Sequence, residues 1–194
     1  EGLPAVFWVS DPVLPGQTAV AVGEDFGEAP AVEVARLPDG RSGAPSEAKL
    51  DWPRRSERAE AQQPNAQSVK FAVPAGWEAG LYAVRVTAPG GAAVRVLNRP
   101  QVWWAQGDGG TAAAPGGWVR AFGKNFELGQ TGDKARAEIR LDGARSFTFK
   151  VVAEPNAVKA ELPADLPTGT YRLSVHNGYG GAAGWSEPVS FAVA

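Results

Sequence analysis

Residues 99–126, RPQVWWAQGDGGTAAAPGGWVRAFGKNF, open the second half of the 194-residue chain and repeat the opening of its first half. PQVWW at 100–104 matches PAVFW at 4–8, an offset of 104 − 8 = 96 residues. VRAFGKNF at 119–126 matches AVAVGEDF at 19–26, an offset of 126 − 26 = 100 residues. A repeat with a period this long corresponds to a whole small domain, because solenoid repeats are much shorter.

The repeat extends to the far end of each half. GLY at 80–82 matches GTY at 169–171, an offset of 171 − 82 = 89 residues. The order of the matches is kept while the offset drifts, as insertions in loops would allow. We therefore predict two homologous domains, residues 1–98 and 99–194, each with its own core.

The charge balance argues against nucleic acid and anionic membranes as partners. Lys and Arg number 19 and Asp and Glu number 21, so the net charge is −2 and no basic surplus is left to neutralise phosphates. No apolar run in the sequence approaches the ~20 residues that a membrane-spanning helix needs. We expect neither a nucleic-acid partner nor a membrane partner.

The chain contains no cysteine and no methionine. Without cysteine it has no disulfide, no thiolate nucleophile and no cysteine-ligated zinc. Without methionine, residue 1 is not a translation start, so we expect a processed product or an excised fragment. The 24 glycines and 16 prolines, set between short valine-rich runs, indicate an all-β protein.

Short alternating stretches bounded by turn residues predict about seven strands in each half, the pattern of an immunoglobulin-like sandwich. The predicted strands are residues 6–9, 18–22, 31–36, 67–73, 80–87, 92–97, 101–105, 118–122, 136–141, 146–152, 158–162, 170–176 and 188–193. Residues 38–66 form a long charged insertion, in which PRRSERAE at 53–60 fits either a short helical turn or a solvated loop. Tyr82 and Tyr171 each start a penultimate strand and are predicted to bury their rings while their hydroxyls bond the backbone.

Two motifs shared by the halves resemble those of IPT/TIG immunoglobulin-like domains. One is a strand that closes in Gly-x-(Asp/Asn)-Phe, at 23–26 and 123–126, and the other is Gly-x-Tyr, at 80–82 and 169–171. The resemblance covers most of both halves, and the insertion at 38–66 departs from it. It implies two tandem immunoglobulin-like β-sandwich domains.

Domains that resemble these occur in DNA-binding factors, in receptor ectodomains and as accessory modules of secreted polysaccharide-degrading enzymes. VWWAQGD at 102–108 with PGGW at 115–118 is also similar to segments that precede pectate-lyase-like parallel β-helix catalytic domains. That similarity implies an exported, bacterial-type protein. It also implies that any catalytic domain lies downstream in the same polypeptide, beyond residue 194.

The sequence offers no catalytic constellation, so no catalytic residue, metal or cofactor is assigned. The single histidine, His176, ends a predicted strand, where we expect a turn or surface residue rather than a catalytic base. No nucleophile elbow, zinc-protease helix or phosphate loop is present. The acids of the predicted loops are interpreted as solubility and turn residues: Glu24, Asp25, Asp108, Glu127 and Asp133. A calcium site at Asp108 or Asp133 is conceivable, but the sequence around these residues does not have the regularly spaced ligands of a calcium-binding motif.

Seven tryptophans against three tyrosines are the most informative feature for function. An indole that lies flat on a surface can stack on the C–H-rich face of a sugar while polar neighbours bond the hydroxyl groups. Adjacent strand residues alternate faces, so only one of Trp103 and Trp104 is expected to point into a core. At least one of the candidate tryptophans is expected to be exposed. The candidate carbohydrate-binding residues are Trp103, Trp104, Trp118, Trp77, Trp185 and Tyr179.

The leading hypothesis is a monomeric, non-catalytic module that binds or positions polysaccharide for an exported polysaccharide-degrading enzyme, outside the cell or on its surface. The alternative is a structural spacer or a protein–protein interaction module of a cell-surface protein. An exposed aromatic strip favours the first hypothesis, and wholly buried indoles favour the second. A carboxylate pair in a deep cleft would instead indicate a sandwich enzyme.

Overall fold

The computed structural model describes residues 2–40, 43–45, 50, 52–128 and 136–194, and in these ranges buried and exposed residues alternate along most strands. A short 3-10 turn, Gly181–Gly184, lies among these strands. The prediction of an all-β protein is therefore confirmed. Within these ranges no helix has the length and apolar character to span a membrane. The candidate acid Asp133 lies outside the described residues.

The chain divides into two compact units, and the strands form four sheets, two in each unit. The first unit comprises Glu1–Asp39 and Leu50–Asn98, and the second comprises Gly40–Lys49 and Arg99–Ala194. The domain bounds 1–98 and 99–194 stay a prediction. They differ from the division into units in one segment, Gly40–Lys49, which is grouped with the second unit.

In the first unit, the two sheets have the strand orders β1-β2-β6-β5 and β4-β3-β7-β8, and all pairings are antiparallel. Their buried residues form one core that contains the largest fully buried rings of this unit, Phe26, Phe71 and Tyr82. The strands are β1 (Ala5–Val9), β2 (Thr18–Glu24), β3 (Ala31–Arg36), β4 (Glu57–Ala59), β5 (Gln62–Asn65), β6 (Ser68–Ala72), β7 (Tyr82–Ala88) and β8 (Gly91–Leu97).

In the second unit, the sheets have the orders β14-β15-β11-β9 and β10-β17-β16-β12-β13. Phe126, Ile139, Leu141 and Leu173 are among the buried residues of its core. Pairing is antiparallel except between β10 and β17. The strands are β9 (Gln101–Gly107), β10 (Ala112–Ala113), β11 (Trp118–Lys124), β12 (Ala137–Asp142), β13 (Ser146–Val151), β14 (Ala153–Glu154), β15 (Ala157–Glu161), β16 (Gly169–His176) and β17 (Val189–Val193).

The glycine and the Asp or Asn of the repeated Gly-x-(Asp/Asn)-Phe motif are required for the same structural reasons in both units. A Cβ at Gly23 or Gly123 would collide with a backbone carbonyl of the neighbouring strand and would lie 2.8 Å from the Cζ atom of the motif's own phenylalanine. The third residue has a left-handed φ, 57° at Asp25 and 63° at Asn125, which short polar side chains tolerate. The motif therefore ends a strand and turns its phenylalanine into the core.

The two repeated tyrosines are buried as predicted. The Tyr82 hydroxyl donates to the Glu78 carbonyl at 2.8 Å, and the Tyr171 hydroxyl donates to the Pro167 carbonyl at 2.7 Å. In each case the acceptor lies four residues upstream, which ties the corner before the penultimate strand to that strand. Their assignment as core residues is confirmed.

The insertion at 38–66 is more regular than the sequence suggested. The charged stretch 53–60 contributes β4, which pairs with β3 through Glu33↔Arg58 and Val34↔Glu57. Neither a helical turn nor a wholly solvated loop is therefore the right description of that stretch. The expectation was wrong because alternating opposite charges can pair across strands as well as along a helix. In the second unit, the Gly181 N–H donates to the Gly40 carbonyl at 2.9 Å.

Candidate functional site

A β-bulge places both indoles of the Trp103-Trp104 pair outside the core. Strand β9 pairs with β11 through Val102↔Gly123 and then Trp104↔Phe122, so Trp103 is an extra residue. Trp103 is 57% exposed and Trp104 is 49% exposed. The expectation that one of them would point inward was wrong, because a bulge interrupts the two-residue period of a strand. The expectation that at least one candidate tryptophan would be exposed is confirmed.

Trp104 lies on the outer face of its sheet and stacks on a cross-strand ring. Its indole and the Phe122 ring have centroids 4.2 Å apart and planes inclined by 13°. Phe122 alternates along β11 with Val119 and Ala121, which are fully buried in the core. The stack is therefore on the face turned away from the core.

Arg120 extends this stack. Its guanidinium carbon lies 5.1 Å from the centroid of the Phe122 ring. Arg120 also makes an ion pair with Glu154 at 3.7 Å, and the glutamate is largely exposed. We call Trp104, Phe122, Arg120 and Trp118 the platform.

Trp118 lies two residues before Arg120 on the same face, and its indole is half-buried. The Lys159 ammonium lies 5.2 Å from the indole centroid and is held there by Glu161 at 2.7 Å. Gln106 is directly opposite Arg120 in the pairing of β9 with β11. The platform is therefore an aromatic strip bordered by side chains that can donate and accept hydrogen bonds.

Asp108 fixes the loop that leads into the platform. Its carboxylate accepts the backbone N–H groups of Ala114 at 3.1 Å and Trp118 at 3.3 Å. These N–H groups, that of Ala114 foremost, hold the pKa of the Asp108 carboxyl below its ordinary value. A Cβ at Gly117 would collide with the same carboxylate, so the loop depends on glycine there. Asp108 thus has a structural role, and no group of three or more potential ligands for a metal ion occurs among the described residues.

Trp185 and Tyr179 are buried, and their assignment to a binding surface is corrected to the interior of the second unit. The Trp185 indole packs edge-on against His176 at 4.8 Å and donates its Nε1–H to the Gly43 carbonyl at 3.2 Å. The Arg136 guanidinium lies 5.2 Å from the Tyr179 ring. The glycine-rich loop folds back over its own unit, which its composition did not reveal.

His176 is fully buried, so the expectation of a turn or surface residue was wrong. The Gly178 N–H donates to Nδ1 at 2.8 Å, and Nε2 lies 2.7 Å from the Gly181 carbonyl oxygen. Because Nδ1 accepts, Nε2 carries the proton and donates. Both ring nitrogens form hydrogen bonds with the loop, so neither is placed to accept a proton from a substrate as a catalytic base would.

Trp77 belongs to the first unit and is half-buried there. Its Nε1–H donates to the Glu57 carboxylate at 2.9 Å, and its ring lies 5.8 Å from the Tyr82 ring. Trp77 therefore packs on the edge of the first core and is not part of the platform. Of the six candidates, Trp104 and Trp118 belong to the platform and Trp103 adjoins it.

Arg120, Phe122 and Lys159 were missed as site residues. The sequence could have indicated Arg120 and Phe122, because Trp118, Arg120 and Phe122 alternate with small apolar residues along one predicted strand. Alternation of this kind predicts an outward-facing aromatic and basic strip.

No protein-family model matches the chain, and no curated protein matches it. Solved structures that the chain matches include a chain crystallised with xylogluco-oligosaccharide, at 17% identity and a TM-score of 0.41, over 97% of this chain and 40% of that one. An SGBP-B from a complex xyloglucan utilization locus in Bacteroides uniformis matches at 18% identity and a TM-score of 0.34, over 98% of this chain and 49% of that one. The SGBP-B of a Bacteroides ovatus mixed-linkage glucan utilization locus, in complex with a mixed-linkage heptasaccharide, matches at 14% identity and a TM-score of 0.33, over 98% and 45%. This chain thus spans less than half the length of each, and at such TM-scores the likenesses carry no argument about its ligand.

Proposed function

We propose that the chain is a non-catalytic module that binds polysaccharide through the platform. We further propose two tandem immunoglobulin-like sandwiches of the IPT/TIG type. The tyrosine corners of both units and the shared Gly-x-(Asp/Asn)-Phe geometry support this assignment.

The observation that carries the proposal is the exposed Trp104 indole, held by its stack on Phe122 at 4.2 Å. About half of this indole faces solvent, and it is not part of the core of its unit. An apolar ring kept in that position matches the C–H face of a pyranose, and its fixed orientation reduces the entropy lost on binding.

The border of the platform supports the same ligand class. Gln106 and Lys159, which lie opposite Arg120 on the two neighbouring strands, offer hydrogen-bond donors beside the platform, and Glu161 offers acceptors. Sugar hydroxyls both donate and accept, so a mixed border of this kind suits them.

The acids near the platform are engaged in ion pairs and face solvent, Glu154 with Arg120 and Glu161 with Lys159. Carboxylates in such positions lack the enclosed environment that general acid catalysis needs. The proposed role is therefore binding or positioning, by a monomer outside the cell or on its surface. A catalytic domain in the same polypeptide would act on the bound polysaccharide.

Native affinity electrophoresis tests the proposal. The chain is run in gels containing hydroxyethyl cellulose, arabinoxylan or galactomannan, with a glycan-free gel as reference. At least one polysaccharide should retard the wild type, and Trp104→Ala should weaken that retention at least about tenfold. Val152→Ala, which shortens an exposed side chain outside the platform, is the matched control and should not alter retention.

Failure of every polysaccharide to retard the wild type would count against the proposal. It would favour the alternative, a spacer or a protein–protein interaction module of a cell-surface protein. Retention that is unchanged in Trp104→Ala would show that any glycan binding lies away from the platform.

A further inference from the structure

The first unit carries an exposed tryptophan at the position that Trp104 occupies in the second unit. Strand β1 reaches the pair Trp8↔Val22 through a bulge at Phe7. Phe7 is 56% exposed and Trp8 is 50% exposed, close to the values for the aromatic pair of the second unit. Both units therefore build the same exposed aromatic pair with the same backbone irregularity.

The exposure of Trp8 is imposed by the strand pairing. Val22, its cross-strand partner, lies between the buried Ala21 and Gly23 and so belongs to the outer face of β2. Val9, the next residue along β1, points into the core. The Trp8 indole lies outside that core, and the occurrence of an outward tryptophan in both units points to a ligand.

The outer face of the sheet that carries Trp8 has no net charge. No ring or cation packs against Trp8 in the part of the chain that the structure describes. Lys70, on the outer face of β6, donates to the Gln63 side-chain oxygen at 2.6 Å. Glu24 and Lys70 are the charged residues on the outer face of this sheet, and their charges cancel. A neutral ligand therefore fits this surface better than an ionic one.

We infer that Trp8 and its cross-strand partner Val22 form a second sugar-contact surface, which takes a sugar unit of a neutral polysaccharide. The inference rests on the proposed function and adds a site to it. The indole stacks on the pyranose. This surface binds more weakly than the platform, because Val22 replaces the ring that holds Trp104 in place.

Calorimetric titration of the whole chain with cellohexaose, xylohexaose and mannohexaose tests the inference. For whichever sugar binds best, the wild type should bind two molecules, and both Trp8→Ala and Trp104→Ala should bind one. The site left in Trp104→Ala should be about fivefold weaker, or more, than the site left in Trp8→Ala. Val94→Ala shortens an exposed side chain on the other sheet of the first unit and should keep both sites.

The outcomes separate this inference from the proposed function. If Trp8→Ala leaves the stoichiometry unchanged while Trp104→Ala removes all binding, the second surface is excluded and the platform stands. If no sugar binds the wild type, both ideas fail.

Trp8→Phe keeps a ring and should retain weak binding at this surface, which separates loss of the contact from local unfolding. A Trp8→Ala variant that changes only self-association in sedimentation would assign this surface to a protein contact and overturn the inference.

Discussion

Trp104 and Phe122 face each other directly across β9 and β11, with ring centroids 4.2 Å apart and nearly parallel planes. Both residues belong to paired strands, so no loop has to become ordered for the stack to form. Aromatic pairs of this kind contribute about 0.5–1.5 kcal/mol beyond the burial of their area. The stack therefore holds the exposed indole in one orientation before any ligand arrives.

Phe122→Val should weaken glycan retention although Phe122 is not the exposed ring. Valine is the residue that the first unit has at the corresponding position, Val22. Without the Phe122 ring, Trp104 loses its stacking partner and samples more rotamers. We expect a severalfold loss of retention in affinity gels and a loss of unfolding free energy of about 1 kcal/mol.

Phe122→Tyr is the control for that change, because it keeps the ring and its stacking face. Its retention should stay close to that of the wild type. If Phe122→Val and Phe122→Tyr are retained equally well, Trp104 does not depend on the stack for its orientation.

Tyr171→Phe should destabilise the second unit without affecting retention. It removes the hydroxyl that donates to the Pro167 carbonyl at 2.7 Å and leaves the ring in place. The expected loss of unfolding free energy is about 1 kcal/mol, the net contribution of a typical hydrogen bond. Urea unfolding measures it, and Tyr82→Phe should behave alike in the first unit. An unchanged midpoint would mean that water replaces the lost bond at no cost.

Gly123→Ala should destabilise the second unit by about 1–3 kcal/mol through overpacking. The new methyl group would meet the Gln101 carbonyl and the Phe126 ring, both fixed by the strand and the core. Gly76→Ala is the matched control, since a Cβ there has no heavy atom within 4 Å. Comparable melting temperatures for the two variants would contradict this account of the Gly-x-(Asp/Asn)-Phe motif.

Asp108→Ala should lower the melting temperature at neutral pH, because two backbone N–H groups lose their acceptor. The folded-state pKa of Asp108 lies below its unfolded value, so its contribution to stability is present above the unfolded pKa. That contribution is lost as the pH falls through the folded pKa. The difference in melting temperature between the wild type and Asp108→Ala should therefore shrink on acidification. A constant difference at all pH values would show that the carboxylate charge is not involved.

The strands were predicted well from the sequence where one face of the strand is buried. In such strands apolar and polar residues alternate, and turn residues mark both ends of the alternating stretch. Residues 118–122, for example, were predicted within β11 (Trp118–Lys124). The strands β4 and β5 were missed because their residues are charged or amide-bearing and carry no apolar alternation. Their pairing comes from the neighbouring strands, which a local pattern does not reveal.

The site was predicted in part, for equally physical reasons. Trp104 and Trp118 were candidates, but the bulge at Trp103 leaves no mark in the sequence, since a bulged strand and a regular strand have the same composition. The buried Trp185 indole donates a hydrogen bond to the carbonyl of Gly43, which lies far away along the chain. A contact between residues so far apart cannot be predicted from any short stretch of the sequence.

The most direct test of the central claim is a titration of the seven indole Nε1–H signals by two-dimensional NMR. The chain is titrated with the oligosaccharide of the polysaccharide that retains it best, and Trp104→Phe identifies the Trp104 signal. The account predicts that the Trp104 signal shifts in a saturable way while the signal of the buried Trp185 stays in place. A Trp104 signal that does not move when the sugar is at saturation would contradict it.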